Sequence, residues 1–170
     1  AVAGASPQTP LEDVRDASLV LLYRLLFLLY AEDRDLLPVN SDGYDDYALR
    51  PKRLEVGDRM GRGDAFSVTA SQIWGRIADL SRIVDRGDAS IGIPPYNGGL
   101  FAPANTPLLD QIRLPDSVLA PVIDKLSFER QGSDRRYINY RDLTVQQLGS
   151  IYERLLEHEV VREDGAHRGR

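Results

Sequence analysis

The sequence predicts an all-α fold: about five helices joined by long ordered loops, with at most one short extended segment. Three observations lead there. Leu19–Tyr30 is an apolar run of helical length broken only by Arg24. Two further stretches, near 68–85 and 145–156, place apolar residues at helical spacing. Between them lie clusters of Gly, Pro, Asn and Asp that punctuate rather than extend. The chain has 170 residues, 42% hydrophobic and 28% charged, which suits one domain with a core of its own rather than a disordered polymer.

Each element has its own signal. Thr9 is a candidate cap, Pro10 suits a first helical position, and Glu12 stands at capping-box distance from Thr9, so a helix is expected from about Leu11 to Arg34. Its middle is apolar on every side, which predicts a central, buried helix. Arg24 inside it then needs a partner or a route to solvent. Residues 39–66 are weakly periodic, with turns expected at Asp42-Gly43 and at Gly57, Gly61 and Gly63, and a short helix near Tyr44–Leu54 interrupted by Pro51. A helix is expected over Val68–Asp85, with Ser67 as its cap and Ile73, Ile77, Leu80 and Val84 on one face beside Trp74. Residues 86–107 read as an irregular stretch held down by Ile91, Ile93, Tyr96, Leu100 and Phe101. Pro115–Leu126 is a further helix that Pro121 should kink or delay, and Tyr137–Tyr140 is the extended piece. The last helix has capping-box spacing at Thr144 and Gln147, and its stripe is Val145, Leu148, Ile151, Tyr152, Leu155 and Leu156. The expected domain is 9–161, with 1–8 and 162–170 as flexible termini; the absence of an initiator Met reads as the cut edge of a larger protein.

Composition excludes several functions. There are no cysteines, hence no disulfide framework and no thiolate metal site. The apolar run is too short to span a membrane and has acidic residues before it, the wrong flank for a leader peptide; a cytoplasmic protein is expected. A net charge of -5 lacks the global signature of a nucleic-acid binder, although a local basic patch can survive in an acidic domain. Two such clusters stand out: Arg50, Lys52 and Arg53; and Arg130, Arg135, Arg136 and Arg141, interleaved with Tyr137 and Tyr140. The second suits phosphate contact, set against a solvated surface paired with Glu129, Asp134 and Asp142.

Other motifs are weaker. Pro94-Pro95-Tyr96 has the shape of an amino-methyltransferase segment, but Ile93 stands where a polar side chain would hold the target amino group, and no glycine-rich cofactor loop follows a strand. A structural turn is the plainer reading. Asp42, Asp45 and Asp46 miss calcium-loop spacing. The two histidines, His158 and His167, lie near the end, without a nucleophile-elbow pattern.

Four stretches together are more specific: Leu22–Arg34 followed by Leu36-Leu37-Pro38; Tyr96-Asn97-Gly98-Gly99-Leu100-Phe101; Tyr140-Arg141-Asp142-Leu143; and Leu148-Gly149-Ser150-Ile151-Tyr152-Glu153-Arg154-Leu155-Leu156-Glu157. Their order and spacing over roughly 10–160 resemble the region just upstream of the methylase domain in fused type II (type IIG-like) restriction-modification enzymes. Those bacterial defence proteins join an endonuclease, a helical connector, an N6-adenine DNA methyltransferase and a target-recognition region. The resemblance implies a connector that holds nuclease and methylase on DNA. Its partners would be those flanking domains and, in the parent, DNA, but no membrane. The parent would use S-adenosylmethionine and Mg²⁺; no cofactor, metal or catalytic residue falls in this stretch. The matched positions expected to matter structurally are Arg24, Glu32, Asp33, Arg34, Tyr96, Asn97, Gly98, Gly99, Tyr140, Gly149, Tyr152 and Glu153. On physical grounds Glu32, Asp33 and Arg34 would bond loop backbone at the helix end, Asn97-Gly98-Gly99 would make a tight turn, and Gly149 would permit close helix packing. Two rivals remain: a stand-alone helical adaptor for another protein, and a metal-dependent hydrolase built on Asp42, Asp45 and Asp46.

Overall fold

A computed structural model describes residues 8–96, 98–103 and 106–157. Seven α-helices and one β-hairpin make up these residues, so the fold is mainly helical but not all-α. Five helices are long and two are single turns.

Helix α1, Leu11–Asp33, is the axis of the fold. At 1.5 Å per residue it is about 34 Å long. Leu25, Leu28 and Leu29 on it are fully buried and Leu26 nearly so. It starts at Leu11 as expected, but its cap lies one position later than Thr9: Pro10 is the cap residue, extended at ψ 139°, with its carbonyl accepting from the Val14 N–H. Thr9 therefore lies before the helix, and the capping box with Glu12 does not form.

The weakly periodic region holds more helix than its glycines suggested. Helix α2 is the turn Asp42–Asp45, and α3 runs Leu49–Arg62. Pro51 occupies the first turn of α3, where an N–H has no intrahelical acceptor to lose, so it does not interrupt. Gly57 and Gly61 are interior to α3; only Gly63 ends it, at φ 76°. Gly57 is there for contact: a Cβ at that position would stand 2.2 Å from a ring carbon of Phe128.

Helix α4, Gln72–Arg86, begins four residues later than predicted. The Ser67 hydroxyl accepts from the Thr69 and Ala70 N–H groups and closes a turn ahead of the helix. The cap comes from far away: the Asp116 carboxylate accepts from the Ile73 N–H at 2.9 Å. The predicted face of Ile73, Ile77, Leu80 and Val84 is buried, with Trp74 beside it.

After a 3-10 turn at Ala89–Ile91, the chain packs back on α4 through the Tyr96 N–H, which donates to the Val84 carbonyl. Helix α5, Pro107–Gln111, was not anticipated; Pro107 starts it. Helix α6, Asp116–Ser127, runs uninterrupted across Pro121. The hairpin follows, β1 Phe128–Gln131 and β2 Asp134–Tyr137, antiparallel, with Phe128 opposite Tyr137 and Arg130 opposite Arg135. The extended piece expected at 137–140 thus lies earlier, and Tyr140–Asp142 is a 3-10 turn instead. The missed signal is Gly132-Ser133, a two-residue loop with glycine at positive φ (64°) between two polar four-residue runs. Helix α7, Val145–Leu156, carries the predicted capping box of Thr144 and Gln147.

One hydrophobic cluster draws on helices α1 to α6 and Tyr140, with Leu148, Ile151 and Leu155 of α7 laid against its edge. No described helix is long and apolar enough to cross a membrane.

Candidate functional site

The residues singled out in the sequence converge on the C-terminal end of α1. The Glu32 side chain is fully buried. It accepts from the Tyr44 hydroxyl and the Leu49 N–H, each at 2.7 Å, and from the Arg50 N–H at 2.9 Å. Leu49 and Arg50 open α3, so Glu32 is that helix's cap, a carboxylate against the positive end of its dipole. Burial raises the Glu32 carboxyl above its ordinary value, and these bonds pull it back. Burial, with the Glu32 charge beside it, also raises the Tyr44 phenol.

Asp33 faces the other way. One carboxylate oxygen is 3.1 Å from Arg50, both are 3.3 Å from Arg53, and one accepts from the Tyr140 N–H at 2.9 Å. Arg53 is completely buried. Its remaining N–H groups donate to the Ser127 hydroxyl at 3.0 Å and the Ile138 carbonyl at 2.9 Å, and it lies 4.4 Å from the Tyr137 ring centroid. The cluster Arg50, Lys52 and Arg53 is therefore not a surface patch: Arg53 is core, Arg50 pairs with Asp33, and Lys52 pairs with Glu55. Periodicity carries the clue, since Arg53 shares the buried stripe of Leu49, Val56 and Gly57 on α3. Arg34 donates to the Arg141 carbonyl, and Arg141 donates to the Asp33 carbonyl and pairs with Asp35.

The four arginines proposed for phosphate contact do not form one patch. Side chains alternate along a strand, so Arg130 and Arg135 share the hairpin face that carries Phe128, while Arg136 lies on the opposite face with Glu129, 4.0 Å away. Arg135 is paired with Asp124 and packs on Phe128. Arg141 lies beyond the hairpin, engaged at the end of α1. Arg130 is exposed and makes no salt bridge among the described residues.

Elsewhere, Arg24 is buried and donates to the Leu100 carbonyl at 2.8 Å and the Thr106 hydroxyl at 3.2 Å. Tyr96 donates to the Leu36 carbonyl and sets its ring edge on Phe27. Ile93 is buried in a bridge to Asp88 and Tyr96 packs on Phe27, while Pro94 and Pro95 between them are exposed. Gly99 sits at φ 74° and the Gly98 N–H bonds the Tyr96 carbonyl; Asn97 between them, like His158 and His167, lies outside the described residues. Among the described residues no three of His, Asp and Glu gather as a metal set; the Asp45 carboxylate accepts the Asn40 N–H instead.

Gly149 corrects an expectation. A Cβ there would meet nothing within 4 Å, so it does not mediate close packing. It borders an open apolar groove of about 400 Å³ between α1 and α7, lined by Tyr23, Leu26, Phe27, Leu100, Val145 and Tyr152. Tyr23 and Tyr152 meet in its lining, with ring centroids 4.0 Å apart and the Tyr23 hydroxyl donating to the Tyr152 carbonyl. Val145 is 74% exposed and Tyr152 46%. Glu153 is exposed beside them. No protein-family model, curated protein or solved structure matches the chain.

Proposed function

We propose that this chain is a non-catalytic helical connector domain of a restriction-modification DNA methyltransferase-endonuclease, one that positions nuclease and methylase on DNA. The observation that carries the reading is convergence. Of the four stretches on which the family resemblance rests, the first is the end of α1 with the residues just after it, and the other three, far away in sequence, all pack against it. Arg24 bonds Leu100, Asp33 bonds Tyr140, Arg34 bonds Arg141, Tyr96 bonds Leu36, and Tyr23 stacks on Tyr152. The polar residues among them bond one another and backbone groups, so they hold the stretches together.

In this reading the apolar groove beside α7 receives the domain that follows, S-adenosylmethionine and Mg²⁺ belong to the flanking domains, and the parent works in the cytoplasm. DNA contact falls to Arg130 and Arg136, whose side chains face solvent; Arg135 and Arg141 serve the fold. The decisive experiment is to sequence the reading frame on both sides and assay the full product for site-specific adenine methylation. A frame with no methylase downstream sinks the proposal.

A stand-alone adaptor draws support from the same groove, because Val145 and Tyr152 leave an apolar stripe exposed on α7. It differs in placing the partner on another polypeptide, and the flanking frame separates the two readings.

A further inference from the structure

Among the described residues two arginines are more than nine-tenths buried, and they are treated differently. Arg53 has the Asp33 carboxylate at 3.3 Å. Among the described residues Arg24 bonds only neutral oxygens: its Nε donates to the Leu100 carbonyl, and a terminal nitrogen to the Thr106 hydroxyl and, at 3.5 Å, the Ala102 carbonyl. No carboxylate among the described residues lies within salt-bridge distance of it. A buried ion without a counter-charge carries a heavy desolvation penalty. Its effect is visible here: burial pulls the Arg24 guanidinium below its ordinary value, and the more distant Asp110 and Asp85 only partly restore it.

Arg24 also lines a cavity of about 480 Å³ walled by α1, α4 and α5, within the range of small-molecule sites, roughly 300–1,000 Å³. Trp74 and Phe101 contribute apolar and aromatic wall. Arg82, Arg86 and Arg113 join Arg24 in lining it, four arginines against Asp85 and Asp110, in a chain whose net charge is -5. Arg82 reaches only Asp79, at 3.7 Å, and Arg86 and Arg113 form no salt bridge among the described residues.

We propose that this cavity binds a small organic anion, its carboxylate or phosphate meeting Arg24 and the rim arginines and its apolar body lying against Trp74 and Phe101. The site is separate from the α7 groove and stands whether or not the connector reading holds.

Trp74 is the only tryptophan in the chain and lines this cavity, so in the folded protein its fluorescence is a direct probe of occupancy. The probes are phenyl phosphate and benzoate, with inorganic phosphate and benzyl alcohol as the two halves. The expected result is a saturable change with at least one of the two aromatic anions, which also identifies the head group, and binding of either half at least about tenfold weaker, a difference of roughly 1.4 kcal/mol. Because Arg24 ties down its loop, Arg24→Met can fail to fold. The rim variant Arg86→Glu/Arg113→Glu alters exposed side chains only and should weaken the anion about tenfold or more while leaving the urea midpoint without ligand in place. The proposal is overturned by no saturable change with either anion, by benzyl alcohol binding as well as the anions, or by rim reversal without effect.

Discussion

Replacing Asp33 by alanine should be among the most damaging single changes in this chain. The carboxylate is 2% exposed and answers a fully buried Arg53, a partly buried Arg50 and the Tyr140 N–H. Removing one member of a buried ion pair costs about 3–5 kcal/mol, because the other charge is left without a partner in a medium it cannot escape. Against a total stability of about 5–15 kcal/mol that is a large fraction. For a chain of this size it lowers Tm by roughly 6–20 °C. Arg53→Met alone leaves Asp33 with Arg50 and should cost less. The double variant Asp33→Ala/Arg53→Met should be more stable than the sum of the singles, since an apolar pair can replace a buried ion pair at little net cost. Urea melts followed by Trp74 fluorescence measure all four corners of the cycle. A loss under about 1 kcal/mol for Asp33→Ala, or strict additivity in the double variant, would refute the assignment of Asp33 as the counter-charge of Arg53.

Leu26→Ala should cost about 2–5 kcal/mol in the same melts, as a nearly buried leucine on the central helix; a change under about 0.5 kcal/mol would remove α1 from the core. Gly57→Ala inverts the usual rule: alanine in a helix interior normally gains up to about 1 kcal/mol over glycine, but here its Cβ runs into the Phe128 ring, and a loss of about 1–3 kcal/mol is expected; a stabilised variant would contradict the contact. Alkaline pH should destabilise the fold. Unfolded tyrosines ionise near pH 10, and burial holds Tyr23, Tyr44, Tyr137 and Tyr140 above that in the folded chain. Above about pH 10 the folded state therefore retains protons that the unfolded state has lost, and stability falls as pH rises. Urea midpoints from about pH 8 to pH 11 test this, and a flat profile is the contrary result.

What the sequence made legible is what local pattern determines. The apolar run located α1 almost to the residue, the spacing of Ile73, Ile77, Leu80 and Val84 gave the buried face of α4, and Thr144 with Gln147 gave the start of α7. The misses have a common cause. Ser67 had the right chemistry for a cap, but its hydroxyl serves a preceding turn, and α4 starts where Asp116 can reach it. Gly57 spoke for a turn because nothing local announces a phenylalanine ring 71 positions away. The arginines of the hairpin read as one patch because sequence proximity hides which face of a ribbon each occupies. Glu32, Asp33 and Arg34 were placed correctly at the end of α1, but the partners that explain them, Tyr44, Arg53 and Arg141, come from elements whose arrangement no local signal fixes.

Capping from a distance bears on how the chain folds. The donors at the start of α3 are satisfied by Glu32, 17 positions from Leu49, and the Ile73 N–H of α4 by Asp116, 43 positions on. Neither helix has a side-chain cap of its own to begin on, and helix initiation is the costly step. Excised as peptides, α3 and α4 should be mostly coil, whereas α7, with its capping box in place, should retain more helix. In the whole chain, α3 gains its cap only once the end of α1 is in position, and α4 only once the start of α6 is. Secondary and tertiary structure must then form together, giving a single sharp transition in which far-ultraviolet ellipticity and Trp74 emission melt as one.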